Sequence, residues 1–122
     1  MEVIFFWNGE GDTREPGCVS SMLSQSEIDF LACLLTDHGG QNYRNTIGWL
    51  DEGLSRVTAV RSGVVKSSDW SRDSWGVSLE GKVAKIYSLY DEECYLALAI
   101  QEFERILLGW RDFISWQNVE SP

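Results

Sequence analysis

The sequence predicts an α+β domain in which a mostly antiparallel sheet is packed by two or three helices, with a single layer of helices on the sheet. Short runs of β-forming residues bounded by turn signals predict the strands. Apolar residues at helical spacing in three other segments predict the helices. With 122 residues, of which 43% are hydrophobic, the chain is long enough for one core and too short for two ordinary domains. We therefore interpret residues 1–122 as a single domain.

One strand and one loop are predicted at the start of the chain. Met1–Trp7 is a short β-forming run that is apolar on both faces, which favours a central or covered strand. Residues 8–17 are rich in glycine and acids, with Pro16 near their end, and this composition predicts a loop.

Two helices are predicted next. Ser24–His38 is the clearer one, because Ser24 and Glu27 match a capping box and two glycines follow the segment. Residues 45–60 also carry apolar side chains at helical spacing, although two glycines weaken a helix there. A short helix followed by a strand over residues 56–61 is the alternative.

The second half of the chain predicts more strands. Residues 62–73 indicate a weak strand and a loop. A hairpin follows, because residues 75–79 alternate between apolar and polar side chains, Gly81 turns the chain, and Val83–Tyr90 returns.

The C-terminal helix is unambiguous, whereas the segment before it is not. Residues 94–100 fit either an extension of this helix or one more strand. A sustained helical stripe then follows, made of Phe103, Ile106, Leu107, Trp110, Phe113 and Ile114. Gly109 lies on the polar side of the stripe, where a glycine lets another element approach closely.

The charge is strongly negative and unevenly distributed. The net charge is −9, yet residues 41–90 carry five acids and seven bases, a net of +2, so the excess of acids lies in the two flanking regions. An acidic surface repels nucleic acid and attracts basic proteins. The alternative is that the acidity serves only solubility.

Sequence features also bear on location and membrane contact. No stretch approaches the roughly 20 apolar residues of a membrane span, and the acidic start of the chain does not resemble a secretory signal. We therefore expect a cytoplasmic protein with neither a membrane nor a nucleic acid as partner.

No constellation of catalytic or metal-binding residues is recognisable. The chain has three cysteines, Cys18, Cys33 and Cys94. Their odd number and wide spacing fit neither a disulfide framework nor a zinc site, and therefore indicate reduced thiols. His38 is the sole histidine, and its place before two glycines is typical of a helix end. The sequence therefore predicts no enzyme, no metal and no cofactor. A deep pocket that holds His38 with a carboxylate partner would instead favour an enzyme.

Acidic loops and one tryptophan are the candidate partner-binding residues. Trp70 lies among polar neighbours, so it is either an interface anchor or a ring that folds back to cap the sheet. The complete set of predicted contacts is Glu10, Asp12 and Glu15 in the N-terminal loop, Trp70, and the acidic run Asp91, Glu92 and Glu93.

Two segments near the C-terminus carry a recognisable pattern. Ile86–Glu93 reads as a strand that ends in an acidic turn. Gln101–Phe113 reads as an amphipathic helix with Glu-Phe near its start and Gly-Trp-x-x-Phe near its end. Together they resemble small bacterial immunity proteins of polymorphic-toxin and contact-dependent growth-inhibition systems. In those proteins a strand precedes the helix, so the resemblance requires Tyr95–Ala99 to be a strand.

The resemblance implies an antitoxin that binds a cognate toxin domain and occludes its active site. Many such toxins are nucleases, which are basic because they bind phosphates. A non-catalytic interaction module of another class, such as an effector chaperone, an adaptor or a phage-encoded inhibitor, is the alternative. The sequence leaves the oligomeric state open.

Overall fold

A computed structural model describes residues 2–11, 14–21 and 28–119 of the chain. Within these residues, the chain forms three α-helices and six strands. The strands form two antiparallel sheets, one of two strands and one of four. The predicted α+β class is therefore confirmed, with two sheets in place of the one expected.

The N-terminal sheet is a hairpin of β1 (Val3–Asn8) and β2 (Glu15–Ser20). The side chains of β1 alternate, so that Phe5 packs against the core while Ile4 is 57% exposed. The expected central strand, covered on both faces, is thus wrong. The predicted loop also ends earlier than expected, because residues from Glu15 onward pair with β1.

The helices follow. Helix α1 spans Phe30–Thr36, and Asp29 caps its first turn. Residues 24–27 of the predicted helix lie outside the described residues. A short 3-10 turn at Tyr43–Thr46 leads into α2 (Ile47–Arg61). The helical prediction for this second segment is confirmed, and the alternative strand is wrong.

The larger sheet has the spatial order β3 (Ser67–Ser71), β4 (Trp75–Glu80), β5 (Val83–Ser88) and β6 (Asp91–Ala99), with every pair antiparallel. The weak strand and the hairpin are as predicted. The ambiguous segment is a strand up to Ala99, and α3 (Ile100–Val119) follows it directly. The strand that the resemblance requires is therefore present.

This four-stranded sheet is covered on one face and open on the other. All three helices contact it, and its buried side chains include Trp70, Val77, Leu79, Ala84, Ile86 and Leu98. On the opposite face, the register aligns Asp69, Ser78, Lys85 and Ala97 in one row across the strands. The core thus lies between the sheet and the helices.

Helix α3 joins the two sheets. Its Trp110 contacts Phe5 of the hairpin edge to face, with ring centroids 5.4 Å apart. A Cβ at Gly109 would lie 3.3 Å from the Phe5 ring, so the predicted close approach at this glycine is confirmed. No helix among the described residues is both long enough and apolar enough to cross a membrane.

Candidate partner-binding surface

Two of the three acidic candidates of the N-terminal loop belong to the hairpin. Glu10 follows β1 and Glu15 begins β2, and both are exposed. Asp12 lies outside the described residues. Glu10 and Glu15 therefore lie at the turn end of the smaller sheet, which packs against α1 and α3.

The second acidic group belongs to the larger sheet. Asp91 is exposed and opens β6, whose backbone continues through Glu92 and Glu93. A register shift interrupts the pairing of β5 and β6 at this end. The structure therefore places the two acidic groups on different sheets, rather than on one continuous strand surface.

Trp70 is not an exposed anchor. Its side chain is only 3% exposed, because it points from β3 towards the helices and packs directly on Gly53 of α2. The interpretation of Trp70 as a contact residue is therefore corrected, and the alternative, a ring that folds back onto the sheet, describes its position. Its polar neighbours Asp69 and Ser71 occupy the open face of the sheet.

Exposed aromatic residues instead lie at the corner between β5 and β6. Tyr90 is 83% exposed and precedes Asp91 directly, while Tyr95 is 52% exposed further along β6. Leu89 adds an exposed apolar side chain beside Tyr90. We call Leu89, Tyr90, Asp91 and Tyr95 the β5–β6 corner. Tyr90 was missing from the predicted contacts, although its position next to three acids was a usable signal.

Strand β6 lies at the edge of its sheet. Among the described residues it pairs only with β5, so its outer backbone edge faces away from the sheet. Edge strands offer backbone donors and acceptors to a second chain. The β5–β6 corner therefore combines an aromatic side chain, negative charge and a strand edge.

All seven arginines are engaged within the protein. Four form ion pairs and three lie within about 6 Å of aromatic rings, the usual range of cation–π contacts. Arg56, Arg61, Arg105 and Arg111 pair with Glu52, Glu104, Glu102 and Asp51, and Arg14, Arg44 and Arg72 lie over Trp7, Tyr43 and Trp49. Such exposed ion pairs contribute little to stability. They do, however, neutralise four of the ten cationic side chains within the protein.

A pocket of about 280 Å³ lies between β2, the end of α1, the 3-10 turn, α3 and the connection from β3 to β4. His38 and Glu15 both line it. The Nδ1 atom of His38 accepts a hydrogen bond of 3.0 Å from the Gly40 N–H, which places the proton of a neutral imidazole on Nε2. Within the described part of the chain, no hydrogen bond joins His38 to a carboxylate. A pocket that contains His38 is thus present. The hydrogen-bonded carboxylate partner that would favour an enzyme is not found among the described residues.

Arg72 also lines this pocket and is 7% exposed. Burial lowers the pKa of its guanidinium to about 10, while the Asp37 carboxylate acts in the opposite direction. The group therefore remains protonated at neutral pH. Oδ2 of Asp37 itself accepts the backbone N–H groups of Ser74 and Trp75, at 2.6 and 3.1 Å.

The described thiols are free, and one of them is strongly deactivated. Cys18 and Cys33 are unpaired. Burial, aided by the Asp29 carboxylate, raises the pKa of the Cys18 thiol from 9.0 to about 12. Since the thiolate is the nucleophile and the metal ligand, Cys18 is unsuited to either role at neutral pH. No group of three potential metal ligands occurs among the residues that the structure describes.

Comparisons of this chain with protein-family models, with curated proteins and with solved structures find no match. Proposals on function therefore rest on the residues and geometry described above.

Proposed function

We propose that this chain is a cytoplasmic immunity protein that binds a basic toxin domain and occludes its active site. The observation that carries the proposal is the engagement of all seven arginines by internal acids and rings. Four of the ten cations are paired with carboxylates of the same chain, and the remaining acids still outnumber the remaining cations by nine. Such an excess of negative charge accelerates association with a basic protein.

The β5–β6 corner is the contact site that we favour. Charge at Asp91 and its acidic neighbours steers the encounter with the toxin. The ring of Tyr90, exposed in the free chain, becomes buried in the complex and slows dissociation. Tyrosine is enriched among residues that dominate interface energetics, and Tyr90 is more exposed than Tyr95, the other aromatic residue of this corner. The pattern in Ile86–Glu93, which resembles immunity proteins, includes Leu89, Tyr90 and Asp91 of this corner.

Co-expression with a candidate toxin tests the proposal. The C-terminal domain encoded by an adjacent reading frame is expressed with and without this chain, and bacterial growth and complex formation are measured. We expect the wild-type chain to restore growth and to form a stoichiometric complex. Complex formation without protection would instead support an adaptor or chaperone, and the absence of both would overturn the proposal for that toxin.

Charge reversal locates the interface. Changing Asp91, Glu92 and Glu93 to lysine should reduce the association rate at least about tenfold at low salt and weaken its salt dependence. The matched control reverses Glu2, Glu80 and Asp112, three exposed acids on other elements. Equal slowing by both triple variants would show that net charge alone matters and would remove the corner from the interface.

Truncation of the aromatic side chain addresses residence time. Tyr90→Ala should raise the dissociation rate by roughly 10- to 100-fold, with little effect on the association rate. Leu108→Ala is the control, because Leu108 is 47% exposed and belongs to α3, which is not part of the corner. Surface plasmon resonance measures both rates. An unchanged dissociation rate for Tyr90→Ala would exclude this ring as an anchor.

A further inference from the structure

The pocket beneath the hairpin contains a buried cation whose donors lack acceptors. Nε and Nη1 of Arg72 are buried and have no hydrogen-bond partner among the described residues. The guanidinium carbon lies 5.7 Å from the ring centroids of both Trp49 and Trp70. Ring faces attract the positive charge, but they do not provide acceptors for in-plane N–H groups. Arg72 lines the pocket with a buried charge that Asp37 offsets only in part, so it favours an anion there.

Other donors of the pocket agree with this preference. Trp110 lines it, and its buried Nε1–H has no partner within the described part of the chain. The neutral form of His38 carries its proton on Nε2, because Nδ1 already accepts the Gly40 N–H. The lining also includes the apolar side chains of Leu35 and Pro16. Residues with N–H groups and residues with apolar side chains thus line one cavity.

Size and charge narrow the ligand class. The volume of about 280 Å³ is close to the lower end of the range for small-molecule sites, about 300–1,000 Å³. Glu15 is an acid in the lining and opposes a second negative charge on the ligand. The planar guanidinium matches both carboxylate and phosphate groups, so charge decides between them. A monoanion of modest size is therefore favoured over a phosphate dianion.

We infer that this pocket binds a small organic monocarboxylate, with its carboxylate on the Arg72 guanidinium and its apolar part against Trp110 and Leu35. The site is separate from the β5–β6 corner and does not depend on the proposed binding of a toxin. Loss of one activity therefore leaves the other measurable in the same purified chain.

A matched pair of ligands tests the inference directly. Benzoate and benzamide have the same shape, but only benzoate carries the charge that Arg72 would recognise. Calorimetry at pH 7 in a chloride buffer should show saturable binding of benzoate with one site per chain, and at least about tenfold weaker binding of benzamide. Equal binding of the two compounds, or no saturable binding of benzoate, would overturn the inference.

Nuclear magnetic resonance places the ligand. Benzoate should shift the indole N–H signal of Trp110, which Trp110→Phe identifies, while the indole signal of Trp75 stays in place because Trp75 does not line the pocket. Saturation of the Trp110 shift at the calorimetric affinity supports the site. Binding that moves only other indole signals would contradict it.

Two variants separate the pocket from bulk electrostatics. Glu15→Gln removes the opposing charge from the exposed rim and should tighten benzoate binding severalfold. Glu80→Gln makes the same change in net charge at an exposed site on β4, and should leave the affinity nearly unchanged. Equal effects of both variants would mean that benzoate senses only net charge.

Replacement of the cation itself completes the design. Arg72→Lys keeps the charge but loses the planar fork, and should weaken benzoate at least about tenfold if the protein stays folded by circular dichroism. N-acetyl-phenylalanine presents the same carboxylate as the end of a polypeptide. Tighter binding of this compound than of benzoate would assign the site to a chain terminus, whereas the reverse would assign it to a free small acid.

Discussion

At the scale of single residues, Gly53 and Trp70 depend on each other. Gly53 is buried within α2, where glycine costs about 1 kcal/mol relative to alanine. A Cβ at this position would lie 2.7 Å from Cε2 of the Trp70 indole. The glycine therefore provides the space in which the indole is buried, and this close contact removes the ring from the surface.

We expect Gly53→Ala to be destabilising despite the better helix propensity of alanine. The added methyl group meets a buried aromatic ring rather than the end of a flexible side chain, so the ring or the helix must shift. Overpacking of this kind lowers the free energy of unfolding by about 1–3 kcal/mol. Urea denaturation followed by far-UV circular dichroism measures the change.

Gly48 supplies the control within the same helix. A Cβ there would have no heavy atom within 4 Å, and the residue is exposed. Gly48→Ala should therefore raise the free energy of unfolding by up to about 1 kcal/mol. If both alanine variants stabilise the protein equally, the close packing of Gly53 on Trp70 is refuted.

This pair also shows why the sequence did not predict the place of Trp70. The polar residues around it indicate an exposed segment only if every side chain points the same way. In a strand they alternate, so Asp69 and Ser71 lie on the open face while Trp70 points inward. The decisive partner, Gly53, is on another element, and its role depends on tertiary packing. Local composition does not contain that information.

At the scale of elements, Asp29 joins the hairpin to α1. One carboxylate oxygen accepts the Ala32 N–H at 3.0 Å and so caps the helix. The same carboxylate accepts the backbone N–H of Ser20 at 2.7 Å and its hydroxyl at 2.8 Å. The start of α1 and the end of β2 therefore share one acceptor group.

Asp29→Ala should lower the free energy of unfolding by about 2–4 kcal/mol. Loss of the helix cap accounts for about 1 kcal/mol. Loss of an acceptor for the N–H and hydroxyl of the buried Ser20 accounts for about 1–3 kcal/mol more. Thermal and urea unfolding check the value. Asp112→Ala on the exposed face of α3 should stay within about 0.5 kcal/mol of the wild type, and a similarly small effect at Asp29 would contradict the shared-acceptor role.

Elements in which apolar residues recur at regular spacing were predictable from the sequence, and elements without such spacing were not. The apolar stripe of α3 is long and regular, so the helix follows from spacing alone. Strand β2 escaped prediction because Pro16 and Gly17 are depleted in strands. A two-stranded hairpin has only edge strands, which tolerate proline. A Cβ at Gly17 would lie 2.5 Å from the Phe6 ring, so the glycine allows that ring to cross the hairpin. The tolerance of Pro16 and the role of Gly17 both depend on how β1 and β2 pair, which the sequence does not show.

At the scale of the whole molecule, helix α3 packs against both sheets. The aromatic rings of Phe5 and Trp7 in the hairpin contact Phe113 of α3, at centroid distances of 5.5 and 5.0 Å. On the same helix, Phe103 and Leu107 are fully buried in the core cluster that includes the larger sheet. The α+β class followed from the order of predicted elements. The division into two sheets did not, because it depends on which face of β1 meets α3.

Because of this shared helix, we expect the chain to unfold as one cooperative unit, as the single-domain prediction requires. Phe5→Ala should lower the free energy of unfolding by about 2–4 kcal/mol, somewhat less than for a fully buried phenylalanine. The loss should appear equally in near-UV circular dichroism and in the global hydrogen exchange of amides in β4 and β5. Ile4→Ala, at the adjacent but 57% exposed position, should change stability by less than about 1 kcal/mol. If Phe5→Ala melts the hairpin while the β4 and β5 amides keep their protection, the two sheets are separate cooperative units and α3 does not couple them.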